Sequence, residues 1–180
     1  MSNVGDRVNF NYKILIDTRE KELKHITEKF EINNIQVQHI GLVVGDYRIQ
    51  ATSLDGNEMN YSPRVVIERK ANLNELIANI LEPKDQHGKN RLQRELQRGL
   101  ESDTKIIILI EDLDWYNKLL KGDFISKVNP KAARGMIMSL EAKYPNVSIV
   151  GIDKSQSASY IHTTLYYHLR QQLKEFKGVE

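Results

Sequence analysis

Four side chains in this sequence have the types and the setting to act on a charged substrate: Asp17, Asp46, Glu68 and Lys70. Each acid ends or follows a short apolar run, Ile14-Leu15-Ile16 before Asp17, Leu42-Val43-Val44 before Gly45-Asp46, and Val65-Val66-Ile67 before Glu68. Carboxylate oxygens are the ligands a hard divalent cation prefers, and Mg²⁺ takes few of them, keeping its waters and adding substrate phosphate oxygens. Such an ion polarises a phosphodiester and lowers the pKa of an attacking water. Lys70 is suited to position that water or to stabilise the charge that develops.

These residues act together only if the chain brings them together. Apolar runs that end in charge read as buried strands whose C-terminal ends emerge at a site, because an unpaired charge is costly to bury. Alternation along a strand places Glu68 and Lys70 on one face, with Ile67 and Arg69 on the other. Lys13 to Asp17 reads as a first strand, and Thr18 is placed to cap a helix carrying Leu23, Ile26 and Phe30. Ile35 to Gln38 alternates as a half-buried strand, and Leu42 to Val44 reads as another. Asp55-Gly56 signals a tight hairpin between Arg48–Leu54 and a strand from Asn57, whose return arm after Pro63 becomes Arg64–Lys70. That hairpin carries Asp46 and Glu68 to the same place.

Downstream, Leu73, Leu76, Ile77, Ile80 and Leu81 mark a helix, and Glu82 to Asn90 a mobile loop. A second helix has Leu92, Leu96 and Leu100 inside and Arg91, Arg94 and Arg98 turned elsewhere, with Gly99 weakening its end. The β-branched run Ile106 to Ile110 predicts a central strand covered on both faces. Asn129-Pro130 starts a helix with Ala133, Met136 or Ile137, Leu140 and Tyr144 inward. A strand at Val147–Val150 and a helix from about Ser157 to Phe176 follow. Strands alternating with helices predict parallel pairing in this half, and one α/β domain over residues 1–180, with 1–11 a loose arm. The 26 basic and 24 acidic side chains leave a net charge of +2, so local clusters must decide whether the partner is a polyanion. The absence of cysteine excludes a disulfide frame, a thiolate metal site and a cysteine nucleophile. Met1 is followed by polar residues, and no apolar run approaches membrane-spanning length, so the expectation is a cytoplasmic protein with no membrane partner.

The ordered set Ile16-Asp17-Thr18-Arg19-Glu20, Gly45-Asp46-Tyr47 and Ile67-Glu68-Arg69-Lys70 closely resembles the nuclease domain of the XPF-type structure-specific endonucleases, within the PD-(D/E)XK superfamily. The family's Asp-x-Arg-Glu, Gly-Asp-Tyr and Glu-Arg-Lys patterns are all met, in order. Arg91 to Leu96 resembles its basic Arg-x-x-x-Glu-Leu helix, and Ile110-Glu111 the strand end after it. The resemblance implies a restriction-endonuclease-like fold, a central mixed β-sheet flanked by helices. It implies an Mg²⁺- or Mn²⁺-dependent endodeoxyribonuclease cutting near branches, flaps or single/double-strand junctions and leaving a 5′-phosphate, in the service of DNA repair or recombination. Asp17, Asp46 and Glu68 match the metal-binding acids, Lys70 the catalytic lysine, and Arg19, Glu20 and Arg69 positions that support cleavage. For Arg19 and Arg69 two roles stand open, bracing a carboxylate and contacting phosphate.

Two departures qualify the likeness. The family often carries an acid four residues after the lysine, and here that position is Asn74, followed by Glu75. This keeps a second reading in view, a catalytically weak or inactive nuclease-like DNA-binding or partner subunit. The stretch after the last helix is too short for the family's tandem helix-hairpin-helix domain, so the chain resembles the stand-alone bacterial or phage form, and DNA contacts are expected from the nuclease domain, a second subunit or a separate protein. Within the domain Lys84, Lys89, Arg91, Arg94 and Arg98, which edge the loop flanking the site, are the candidate phosphate contacts. The alternative for these arginines is a solvated helix face on which Glu95 pairs with Arg91. Tyr160, Tyr166 and Tyr167 exceed what one core face needs, consistent with the homodimer of family members. Trp115 and Tyr116 read as packing residues.

Overall fold

The computed structural model describes residues 8–178 and shows a sheet of seven strands between two helical layers. Strand β1 (Phe10–Asp17) is followed by α1 (Lys24–Ile32), β2 (Val37–Ile40), β3 (Tyr47–Leu54), β4 (Asn57–Tyr61) and β5 (Val65–Lys70). Then come α2 (Leu73–Leu81), α3 (Arg91–Glu101), β6 (Lys105–Ile110), α4 (Trp115–Lys121), α5 (Pro130–Lys143), β7 (Val147–Gly151) and α6 (Ser157–Lys177). The sheet runs β2-β1-β3-β5-β6-β7, with β4 paired to β3. β1–β2, β5–β6 and β6–β7 are parallel, whereas β3 is antiparallel to β1, β4 and β5. The mixed α/β sheet expected from the sequence is therefore the one observed.

Alternation along the strands builds two cores. Ile107 and Leu109 face α1 and α6, packing with Phe30, Ile161, Leu165 and Leu169, while Ile106, Ile108 and Ile110 face Leu76, Leu96, Ile137 and Tyr144. A strand buried on both faces needs an unbroken apolar run, and β6 supplies it. The Asp55-Gly56 turn has positive φ at both residues, as a two-residue hairpin of matching twist requires.

Several expectations change in detail. Part of the expected loose arm, residues 1–7, lies outside the described residues, and Phe10 and Asn11 already belong to β1. Thr18 caps no helix: α1 begins at Lys24, and residues 18–22 turn back toward the sheet, leaving Arg19 and Glu20 at the strand ends. Leu42 to Val44 form a loop rather than a strand. The reason lies in Gly45, whose φ of +75° breaks extension and whose position leaves no room for a Cβ, 2.7 Å from Val66 Cβ. Residues 82–90 are tied down, since Asp85 accepts from the His87 and Lys89 amides and from Arg94, and Asn90 donates to the Ile80 carbonyl. Gly99 is a contact, because a Cβ there would lie 2.4 Å from Ile106 Cδ1, and α3 approaches β6 that closely. Of the α6 tyrosines, Tyr160 and Tyr166 pack on the core, Tyr166 stacking on Phe10, so Tyr167 alone is largely exposed. Among the described residues no helix is long and apolar enough to cross a membrane.

Candidate active site

The ends of β1, β3 and β5 meet because the backbone beyond β3 continues the ladder on both sides. The Asp46 amide donates to the Ile67 carbonyl (2.8 Å), and the Asp46 carbonyl accepts from the Asp17 amide (2.8 Å). Asp46 is thus spliced between β1 and β5, and its Oδ2 accepts from the Arg69 amide at 2.8 Å. Glu68 and Lys70 share a face, as strand alternation demands, and Lys70 Nζ donates to Glu68 Oε1 at 2.6 Å. Both are buried, at 3% and 2% exposure. Glu68 Oε2 is buried with no hydrogen-bond partner. Asp46, Glu68 and Lys70 line a cleft of about 410 Å³ together with Glu20, Glu75, Arg91 and Glu95.

Asp17 stands apart from this cleft. Its Oδ1 accepts from the Arg19 amide and Nε, and its Oδ2 from Arg19 Nη2 and the Leu42 amide, so both oxygens are occupied. Burial alone would raise the Asp17 carboxyl, but these bonds outweigh it and hold it below the usual carboxylate range. Where the sequence points to three gathered acids, the structure gathers Asp46 and Glu68 and makes Asp17 the brace of two loops, 18–20 and 41–45. Arg19 reaches the cleft rim from that brace and also donates to the Leu42 carbonyl.

Arg69, pointing to the opposite face, organises a second network. Its Nη1 donates to Glu20 (2.6 Å) and its Nη2 to Glu111 (2.8 Å), and Glu111 meets His25 Nε2 at 2.6 Å. Burial opposes the charge on Glu111, but Arg69 overrides it and keeps the carboxyl low. The sequence marks Glu111 only as a strand end and assigns His25 no role; β6 lying parallel to β5 is what carries Glu111 to Arg69.

Glu95 departs furthest from its expected place. It is no surface partner of Arg91: it is 6% exposed and its Oε1 accepts from the Gly45 amide at 2.7 Å. The signal is present in the sequence, since Leu92, Glu95, Leu96 and Gly99 form the buried stripe of α3 at helical spacing. Glu75 also faces the cleft, its Oε2 accepting from the Ala71 amide. Asn74 does not; its Oδ1 accepts from the Ile125 amide at 2.8 Å.

The expected DNA-contact residues divide. Arg91 lines the cleft, 3.9 Å from Glu82. Arg94 is paired with Asp85 (2.7 Å), and Arg98 donates to the Val43 carbonyl. Lys84 is exposed and Lys89 half-buried in the tied loop.

The electrostatics of the cleft are those of crowded acids. Burial and then the Glu68 carboxylate push Asp46 well above its ordinary value and raise Glu95 too; burial also raises Glu20 despite Arg69. For Lys70, burial works against the charge, yet Glu68 and Asp46 prevail and keep the ammonium protonated above its usual range. Among the described residues no group of three or more acidic or imidazole side chains is arranged to hold a metal ion. The orphaned Glu68 Oε2 and the repelling carboxylates around it nevertheless fit a hard cation that takes few protein ligands.

A mixed sheet between two helical layers, with acids and a lysine at neighbouring strand ends, makes this an α/β fold with a charged cleft. The solved structure of XPF from Aeropyrum pernix matches it with a TM-score of 0.58 at 16% sequence identity, over 86% of this chain and 66% of that one. At that identity the likeness is one of fold, and this chain spans about two thirds of that chain's length. The ERCC4 domain family matches residues 16–164, and the chain belongs to it, a family of structure-specific nucleases. Comparison with curated proteins gives no match.

Proposed function

We propose that this chain is a divalent-metal-dependent endodeoxyribonuclease that hydrolyses phosphodiester bonds near branches, flaps or single/double-strand junctions. The observation that carries the reading is the meeting of Asp46, Glu68 and Lys70 in one cleft, with Glu68 Oε2 left without a partner. Asp46 and Glu68 are the residues to hold Mg²⁺ or Mn²⁺, which when bound supplies Lewis-acid activation of phosphate and water. Lys70, whose Nζ donates to Glu68, supplies a donor for the negative charge that grows on the phosphate. The Arg69 amide orients Asp46, and Glu20 and Glu111 fix Arg69 from the other face. Arg19 and Arg91 at the rim are placed to receive flanking phosphates. Asp17 supports the site from behind. The exposed Tyr167 is the remaining support for a homodimer of this chain.

The test is cleavage of labelled duplex, single-stranded, flap, splayed-arm and four-way-junction DNA with Mg²⁺, with Mn²⁺ and with chelator. The expected result is metal-dependent cutting of the branched substrates. Asp46→Asn is expected to lower that rate by about 10²-fold or more while DNA binding and folding persist. Binding without cutting in every metal would instead favour the inactive DNA-binding or partner subunit.

A further inference from the structure

A second cavity, of about 520 Å³, lies on the same face of the sheet as the cleft. Arg48 of β3 enters it between Leu15 of β1, its register partner, and Val66 of β5. Among the described residues no carboxylate lies within 4.0 Å of its guanidinium, and its Nε is buried without a hydrogen-bond partner. Arg69 also has a buried bare Nε, but two carboxylates hold its other nitrogens. Arg48 has no such compensation. It is half-buried, and burial pulls its guanidinium below the usual arginine value. A partly desolvated cation without a counter-ion is a cost to the fold that an incoming anion reduces. Gln50, Asn60 and Ser62 add neutral hydrogen-bonding groups to the walls.

The cavity adjoins the cleft along β5. Val66 lines the cavity, whereas Glu68 and Lys70, on the same face, line the cleft. Two residues of strand span about 7 Å, and one strand of a duplex advances about 3.4 Å per nucleotide. Residues 42–46 run from one to the other, with Leu42, Val43 and Val44 on the cavity and Asp46 on the cleft.

We infer that the Arg48 cavity is a phosphate subsite, which holds a backbone phosphate of the nucleic acid a few nucleotides from the bond to be cut. The inference rests on the nuclease reading for its ligand and assigns the chain a basic contact outside the 84–98 segment. A guanidinium suits it because its planar fork meets two phosphate oxygens at once.

The first measurement is on the unaltered chain in chelator, where nothing is cut. The Nε–H resonance of Arg48, assigned by its loss in Arg48→Gln, is followed as inorganic phosphate or a short single-stranded oligonucleotide is added. The oligonucleotide is expected to move it at concentrations where inorganic phosphate does not, since neighbouring contacts hold the chain in place. The second is the salt dependence of oligonucleotide binding, whose slope is expected to fall by about 0.7 in Arg48→Gln, one phosphate contact fewer on a single strand. Arg48→Lys should keep the slope, which a purely structural role would not predict. A resonance that neither addition moves, one that only inorganic phosphate moves, or an unchanged slope in a folded Arg48→Gln would overturn the proposal. Failure of the nuclease reading shows separately, as no cleavage with Mg²⁺ from a preparation whose Arg48 resonance still answers to the oligonucleotide.

Discussion

At the scale of single residues, the chain places chemistry and its support on alternate sides of one strand. Glu68 and Lys70 face the cleft, and between them Arg69 faces Glu20 and Glu111. That alternation is legible from six letters of sequence, because strand parity is a property of the backbone. Glu95 is the opposite case, since a carboxylate on an apolar stripe looks like surface until its acceptor role for the Gly45 amide is known. Asn74 gives the sharper prediction. Its family resemblance casts it as a missing ligand, but its Oδ1 anchors the Ile125 amide, and an aspartate oxygen accepts that bond equally well. Asn74→Asp is therefore expected to leave the cleavage rate with Mg²⁺ unchanged. A gain in rate would mean that residue 74 turns to the metal, contrary to the geometry seen.

At the scale of elements, helix and strand assignments follow from periodicity, and the errors fall where tertiary contact overrides it. Leu42 to Val44 has strand composition, yet Gly45 must pass within van der Waals range of Val66, so the run bends into a loop. Gly99 reads as a flaw in α3, whereas it sets the distance from α3 to β6. Gly99→Val is expected to destabilise by about 1 to 3 kcal/mol through overpacking against Ile106, lowering the melting temperature by roughly 2 to 12 °C. Gly135, inside α5 with nothing within 4 Å of where a Cβ would sit, is the contrasting case. There Gly135→Ala is expected to add about 0.5 to 1 kcal/mol by reducing chain entropy in the unfolded state. Thermal unfolding of the two variants checks both signs, and equal shifts would refute the account of Gly99.

For the whole molecule, two sets of carboxylates pull stability in opposite directions as pH changes. Glu111 and Asp17 lie below their ordinary values in the fold, so their contribution is complete above the unfolded carboxylate range, about pH 4, and is lost as pH falls through the folded values. Glu20, Asp46 and Glu95 lie above theirs, so the stability they withhold at neutral pH returns as the pH is lowered toward them. The melting temperature is expected to peak on the acid side of neutral and to drop below about pH 4. Glu111→Ala should lower it at neutral pH by an amount corresponding to about 3 kcal/mol and flatten the acid limb; an acid limb as steep as that of the unaltered chain would show that other groups govern it. The sequence announces the sheet order only in part. The hairpin and the parallel half are foreseeable, whereas the placing of β1 between β2 and β3 depends on long-range pairing that no local pattern records.

The splicing of Asp46 between β1 and β5 has a consequence for timing. A carboxylate whose own peptide group completes two ladders cannot swing into place after substrate arrives without opening the sheet. Its amide proton should exchange with solvent only on openings of the kind that release core strands. On the proposed nuclease reading, a single-turnover reaction started by adding Mg²⁺ to the preformed DNA complex should then begin without a lag, because Asp46 needs no rearrangement to meet the ion.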